Sequence, residues 1–308
     1  MGGWLETVPK AELHVHLEGS LRPATLCELA PGLTEEEVAA RYRHDNFAGF
    51  IDSFKWAVGH LKEPGHFALA TRRLLEELAG QRVTYAEITL SVGVMLLRKQ
   101  DAAAIYDAVV GEAARSAVEV RWVVDAVRQW GAEAAMAVAR FAAERAGDRI
   151  VGFGIGGDEA GGPVEWFREV FVFARENGLA LVPHAGETVG AESVWGAVKL
   201  GARRIGHGIR AVDDPSLMAY LRDHDIPLEV CISSNVATGA VAGLADHPVR
   251  RLYEAGVPMV LNSDDPAMFN TTLTREYEIA ASHFGFSEGE LRGLVDNSFR
   301  YAIVHNRP

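Results

Sequence analysis

Cysteine is almost missing: Cys27 and Cys231 stand far apart in unlike contexts, too few for a disulfide framework, so a reducing cytoplasmic setting is expected. No apolar run approaches the roughly 18 residues of a membrane span. The opening MGGWLETVPK lacks a basic stretch followed by an apolar one, so no secretory signal is expected. Basic clusters are absent too. A formal charge of -12 is spread along the chain with nothing to offset it, which argues against nucleic-acid or anionic-membrane partners and leans slightly against polyanionic substrates. Linkers, internal repeats and low-complexity tracts are also lacking, so one domain over residues 1–308 is expected. What remains is an ordinary globular composition, 48% hydrophobic, on a chain long enough for a large core.

Eight short β-branched or apolar runs recur: AELHVHL, VTYAEITLS, VEVRWVVDA, RIVGFGIGG, LALVPHAG, RRIGHG, PLEVCISSN and VPMVLNSDD. Helical patterns lie between them. In GAESVWGAVKLGA, Val194, Ala197 and Val198 share a stripe, and Ser287 with Glu290 forms a capping-box pattern ahead of Leu291, Leu294 and Val295. Strand followed by helix, eight times, predicts an α/β fold of the (β/α)8 barrel type, with a doubly wound open sheet as the rival. The interval between the first and second runs is far longer than the others and carries another capping box, Thr34 to Glu37. Residues 20–80 therefore read as extra helices inserted after strand 1, placed to cover the barrel mouth.

The polar residues fall where these runs end. The first ends in His14, His16 and Glu18, and later ones in Gly157-Asp158-Glu159, His184 to Glu187, His207, Ser233-Ser234-Asn235 and Asp264-Asp265. His14 and His16, two apart on a strand, point to one side. In a barrel the carboxyl ends of the strands converge on one face, where active sites of this fold lie. Four of the eleven histidines meet there. The other seven (His44, His60, His66, His224, His247, His283 and His305) fall in helix or loop contexts and receive no role. Imidazoles with one carboxylate suit Zn²⁺, with Fe²⁺, Co²⁺ or Mn²⁺ as alternatives. His14, His16, His184 and Asp264 would supply four protein ligands and leave a place for water. Strand 4 offers no lysine for a carboxylated bridge between two ions, so a single metal is expected.

KAELHVHLEGS, GGDE, HAGET, RIGHG, SSN and LNSDDP, in this order and at these strand ends, resemble the adenosine/adenine deaminase family of the metal-dependent amidohydrolase superfamily. The resemblance runs from Pro9 to about Asn306, and the joint set of motifs is specific where an HxH pair alone would not be. It implies a hydrolase that replaces a purine 6-amino group by a 6-oxo group and releases ammonia. It further implies Glu187 as the acid that protonates purine N1, and His207 as the group that orients and stabilises the attacking hydroxide. Asp265 would bond that hydroxide or purine N7, and the Gly157 N–H would meet purine N3. Asp264 and Asp265 can share a site only if the strand stops there, as Pro266 suggests.

Blander roles compete with each of these: a helix N-terminal acid for Glu187, a turn residue for Asp265, a core histidine for His207. Cys231 reads as packing. Phe47, Phe50, Phe54 and Trp56, at helical spacing, read as core more readily than as the lid the resemblance implies. His16-Leu17-Glu18 also fits the H-x-E of cytidine-deaminase sites, but the paired cysteines such sites need are missing. Glu18 bears on the substrate. Relatives acting on adenosine usually carry Asp there to meet the ribose, whereas Glu occurs in those acting on adenine or on 5′-modified nucleosides such as 6-aminodeoxyfutalosine. The expected substrate is therefore a small-molecule 6-aminopurine nucleoside, with free adenine as the alternative. A noncatalytic barrel used as a binding module would have lost a ligand or the acid, and none is lost.

Overall fold

In the computed structural model, residues 3–44, 46–147 and 149–303 are described, which leaves His305 outside. Nine strand segments occur among them. A five-stranded sheet runs in the order β1 (Lys10–His16), β2 (Val83–Leu90), β3 (Glu119–Val127), β4 (Ile150–Gly156), β5 (Ala180–Leu181). A four-stranded sheet runs β6 (His184–Ala185), β7 (Ile205–His207), β8 (Leu228–Val230), β9 (Met259–Leu261). Every pairing is parallel.

The two sheets are one ring. β5 and β6 form a single strand position interrupted at Pro183, which has no N–H to donate. Around it Val182 N–H still reaches Phe153 O on one side, and Pro183 O accepts from Gly206 on the other. The last seam closes where Val15 bridges Asp264, with Asp264 N–H to His14 O at 2.9 Å and His16 N–H to Asp264 O at 2.8 Å. Eight strand positions, all parallel, closed and followed by helices, make the (β/α)8 barrel rather than the open sheet.

The long first interval holds α1 (Pro23–Leu29), α2 (Glu35–Arg41), α3 (Phe47–Val58) and α4 (Pro64–Gly80). Both capping boxes form as read: Thr34 with Glu37, and Ser287 with Glu290. Several expected strands are shorter than their runs. PLEVCISSN stops at Val230, and Ile232–Ala237 turns into a helix, with Asn235 N–H bonded to Cys231 O and Ser233 N–H to the buried carboxylate of Glu276.

The main core lies between strands and helices, as in any fold of this class. Inside the ring the filling differs. At its amino end Ala11, Leu13, Tyr85, Val260 and Tyr301 form a small apolar cluster. Above it sits a buried ionic layer in which Arg204 bonds both Glu87 and Glu229, all at most 2% exposed. Arg204 also donates to Tyr301 O at 2.9 Å, and Ile303 N–H donates to Glu87, so the C-terminal segment is tied across the barrel floor. Such a network is costly to bury, and it persists because each charge is paired and hydrogen-bonded.

Candidate active site

His14 stands directly on the ionic layer. Its Nδ1 bonds Glu229 Oε2 at 2.7 Å, so the ring is oriented with Nε2 facing upward to Asp264 Oδ1, 3.4 Å away. His16 Nε2 lies 3.3 Å from the same oxygen. His184 completes the group, its ring centroid 4.7 Å from that of His14 and 5.4 Å from that of His16. One ligand-type atom from each of His14, His16, His184 and Asp264 falls within 4.8 Å of every other. That spacing suits donors each about 2.0–2.2 Å from one ion. Two further observations fit a cation. His14 Nε2 is buried and has no hydrogen-bond partner. Burial works against charge on His14, yet Asp264 and Glu229 outweigh it and hold the ring well above its usual range, so this point favours positive charge. Cys231 lies near His207 and Asp264, but burial pushes its thiol up, which keeps it a poor ligand.

Asp264 and Asp265 both face the site because β9 ends at Leu261 and Asp264 adopts a left-handed backbone, φ +63°. Asp265 is buried with Oδ1 unpartnered; burial, then Asp264, pushes its carboxyl well above the ordinary range. Gly19 leaves the room it occupies, since a Cβ there would lie 1.6 Å from Asp265 Oδ1.

His207 has its tautomer set from outside the site. Val249 N–H donates to His247 Nδ1 at 3.2 Å, so His247 carries its proton on Nε2 and donates to Asn235 Oδ1 at 3.1 Å. The Asn235 amide then donates to His207 Nδ1, also at 3.1 Å. In the neutral ring the His207 proton is thereby placed on Nε2, which points at Glu187 Oε2 (3.7 Å) and Asp264 Oδ2 (3.9 Å). Among the described residues His247 is the one histidine outside the strand ends that reaches this network, and nothing in its local sequence marks it.

Glu187 sits on a loop held by another acid. The Glu159 carboxylate accepts the backbone N–H groups of Gly186, Glu187, Thr188 and Val189 and the hydroxyl of Ser193. Those donors outweigh burial and keep Glu159 ionised. Glu187 itself is pushed up by burial, with His207 opposing. Two acids on adjoining loops thus have opposite characters, which is the arrangement a proton donor needs. Asp158, by contrast, is exposed and caps Gly161.

These groups open into a cavity that reaches solvent. Gly157 lines it with φ +99°, and a Cβ there would lie 2.4 Å from Gln129 Oε1. Phe47, Phe50, Ile51 and Phe54, one face of α3 at i, i+3, i+4 and i+7, form its apolar wall, and Lys55 is its single Lys or Arg among the described residues. The core reading of the aromatic run holds, with Phe50 in the main core and Phe47, Phe54 and Trp56 packed against it, but the three phenylalanines also face the cavity; Trp56 packs against Tyr42 and His60. Glu18 is not on the cavity wall. Its Oε1 accepts from Ser91 N–H at 3.0 Å, its Oε2 is buried and unpartnered, and burial raises its carboxyl to about 7.

A closed parallel barrel carrying three imidazoles, a carboxylate and a buried glutamate at its carboxyl ends defines a hydrolase of the amidohydrolase superfamily, with a site suited to a divalent metal. The chain belongs to the adenosine deaminase family: residues 9–307 match the family described as Adenosine deaminase. It is 41% identical to aminodeoxyfutalosine deaminase of Streptomyces avermitilis, over 96% of this chain and 87% of that one. It is 36% identical to adenine deaminase of Rhizobium leguminosarum bv. trifolii, over 96% and 94%. Among solved structures, adenine deaminase from Arthrobacter aurescens superposes with a TM-score of 0.89 at 29% identity, covering 97% of this chain and 94% of that one. An amidohydrolase from Burkholderia ambifaria with bound Zn gives 0.90 at 25%, covering 98% and 88%. The protein is a hydrolytic purine deaminase. No described helix is long and apolar enough to cross a membrane.

Proposed function

We propose that this enzyme uses one Zn²⁺, held by His14, His16, His184 and Asp264, to deaminate a 5′-extended 6-aminopurine nucleoside of the aminodeoxyfutalosine type, releasing ammonia. A divalent ion there supplies the Lewis acidity that activates water at neutral pH. Glu187, whose burial favours the protonated form, donates to purine N1 and draws electron density from C6. The His207 Nε2–H, fixed by the Asn235–His247 chain, orients the attacking water and stabilises the charge that develops. Asp265 meets the nucleophile or purine N7, and the backbone of Gly157 meets N3, where a side chain would obstruct approach.

The observation that carries the finer reading is the wall of the cavity beside the metal cluster. The aromatic face of α3, with Lys55 at its edge, suits an extension beyond the ribose. The 41% identity to an aminodeoxyfutalosine deaminase agrees. A second reading, free adenine, is favoured by one feature: Glu18 lies behind Ser91 rather than on the wall where a ribose hydroxyl would need it.

Metal-replete protein assayed with aminodeoxyfutalosine, methylthioadenosine, adenosine, deoxyadenosine and adenine, followed by the ultraviolet change from 6-amino to 6-oxo purine, separates the two. The highest kcat/KM is expected for aminodeoxyfutalosine. Adenine as the best substrate would overturn the nucleoside reading. Glu187→Gln is expected to keep its metal and lose about 10²–10⁴ in kcat; near-wild-type turnover removes Glu187 from the acid role.

A further inference from the structure

We infer that Asp125 is a positioning residue for His184, holding its Nδ1 through one bridging water lodged in the gap left by the absent side chain of Gly156. The inference rests on the metal-site reading above. A metal-ligating imidazole almost always gives its second nitrogen to a carboxylate, a carbonyl or a water, which fixes tautomer and ring angle. His14 has Glu229 for this purpose. His184 Nδ1 is buried and has no protein partner, and the same is true of Asp125 Oδ1. The two side chains flank one point. A Cβ on Gly156 would lie 3.2 Å from Asp125 Oδ2 and 3.8 Å from His184 Nδ1. That point faces the main cavity, whose lining includes Asp125, Gly156 and His184, so water reaches it.

The strands explain the placement. Asp125 pairs in register with Gly154 of β4, and His184 opens β6 in the second half of the strand position beyond β4. A side chain at Gly154 would stand 3.7 Å from Asp125 Cβ and 3.0 Å from Val182 O. Two glycines at alternate positions of β4 therefore let a carboxyl on β3 lean past β4 toward a ligand on the next strand. Burial, reinforced by Glu18, pushes Asp125 well above the ordinary carboxylate range. Charged or neutral, the group keeps an oxygen that accepts a hydrogen bond. With Nδ1 so engaged as a donor, His184 offers Nε2 to the cluster.

The test is Zn²⁺ affinity, measured by chelator competition on metal-free full-length protein, for wild type, Asp125→Ala, Asp125→Asn and Gly156→Ala. Gly156 has no positive φ, so alanine fills the gap without backbone strain. Asp125→Ala and Gly156→Ala are each expected to bind Zn²⁺ about 10–100-fold more weakly. Asp125→Asn, whose amide oxygen still accepts, is expected to stay near wild type. In the Co²⁺-loaded protein the visible d–d bands should shift for the two alanine variants and not for asparagine. If Asp125→Ala fails to fold, Gly156→Ala decides alone. Unchanged affinity and Co²⁺ bands in Gly156→Ala, or a raised KM with unchanged affinity in Asp125→Ala, would overturn the inference and leave Asp125 as a wall of the substrate cavity only. Wild type that binds no Zn²⁺ would instead remove the metal-site reading itself.

Discussion

Gly19 shows how a single missing carbon can matter to a catalytic centre. It lies on the turn after His16, and Asp265 Oδ1 fills the space where its Cβ would be. Gly19→Ala must drive the carboxylate aside, so kcat is expected to fall by about 10²-fold or more, since small misplacements of that kind cost this much, with bound metal retained on elemental analysis. The EGS motif was visible in the sequence, but the partner that makes its glycine necessary is far along the chain. His247 shows the opposite limit. It belongs to the site only through Asn235, and no spacing announces it. Burial, then His207, lowers its pKa to about 3 in the fold, against an unfolded value near 6.5. A depressed folded value stabilises above the unfolded pKa, and that contribution is lost as pH falls from about 6.5 toward 3. His247→Gln, which can still donate to Asn235, is expected to flatten the acid limb of a denaturation-midpoint series across that window. An unchanged slope would mean that His247 already titrates normally.

At the scale of elements, two segments carry the site and both are held from outside it. The loop after β6 is gathered onto Glu159, whose carboxylate satisfies four consecutive backbone N–H groups. Removing the acceptor strands those donors in a buried place. Glu159→Ala is expected to cost about 3 kcal/mol of stability in denaturant titration and to lower kcat more than it raises KM, because Glu187 rides on the same loop. The helix α3 sends one face toward the core and another toward the cavity. Its spacing revealed that an aromatic face exists; which neighbour that face meets depended on how residues 20–80 fold back over the barrel. Likewise the run PLEVCISSN reads as strand to its end, but Glu276, reaching across from a later helix, captures the Ser233 N–H and the chain turns helical early.

At the scale of the whole molecule, the ionic layer joins the floor of the barrel to its mouth. Arg204 ties Glu87, Glu229 and the carbonyl of Tyr301 together, and Glu229 in turn holds His14. Arg204→Met leaves two carboxylates buried without their counter-ion, so a loss of about 3–5 kcal/mol is expected, read as a lower Tm in the metal-free protein. Metal removal acts through the same linkage. An ion that binds only the folded chain stabilises it by mass action, so chelator should lower Tm and added Zn²⁺ should raise it with a concentration dependence. A Tm indifferent to both would count against a resident metal.

The chain alone determined the periodicity of its strands, the helices between them and the clustering of imidazoles and carboxylates at run ends, because these depend on local pattern and on a fold whose strand ends must converge. It therefore made the barrel and the candidate ligands legible. Only the tertiary structure decided how the inside of the ring is filled. The pairing of β1 with β2 slips between Glu12 and Val15, so that Leu13 and His14, neighbours that strict alternation would separate, both face the interior. The partners of the ligands, Glu229 and Arg204 below and Asn235 with His247 beside, are likewise brought together by closure. Buried charge and buried N–H groups must find partners wherever the fold places them, and those partners come from distant parts of the chain that no local pattern connects.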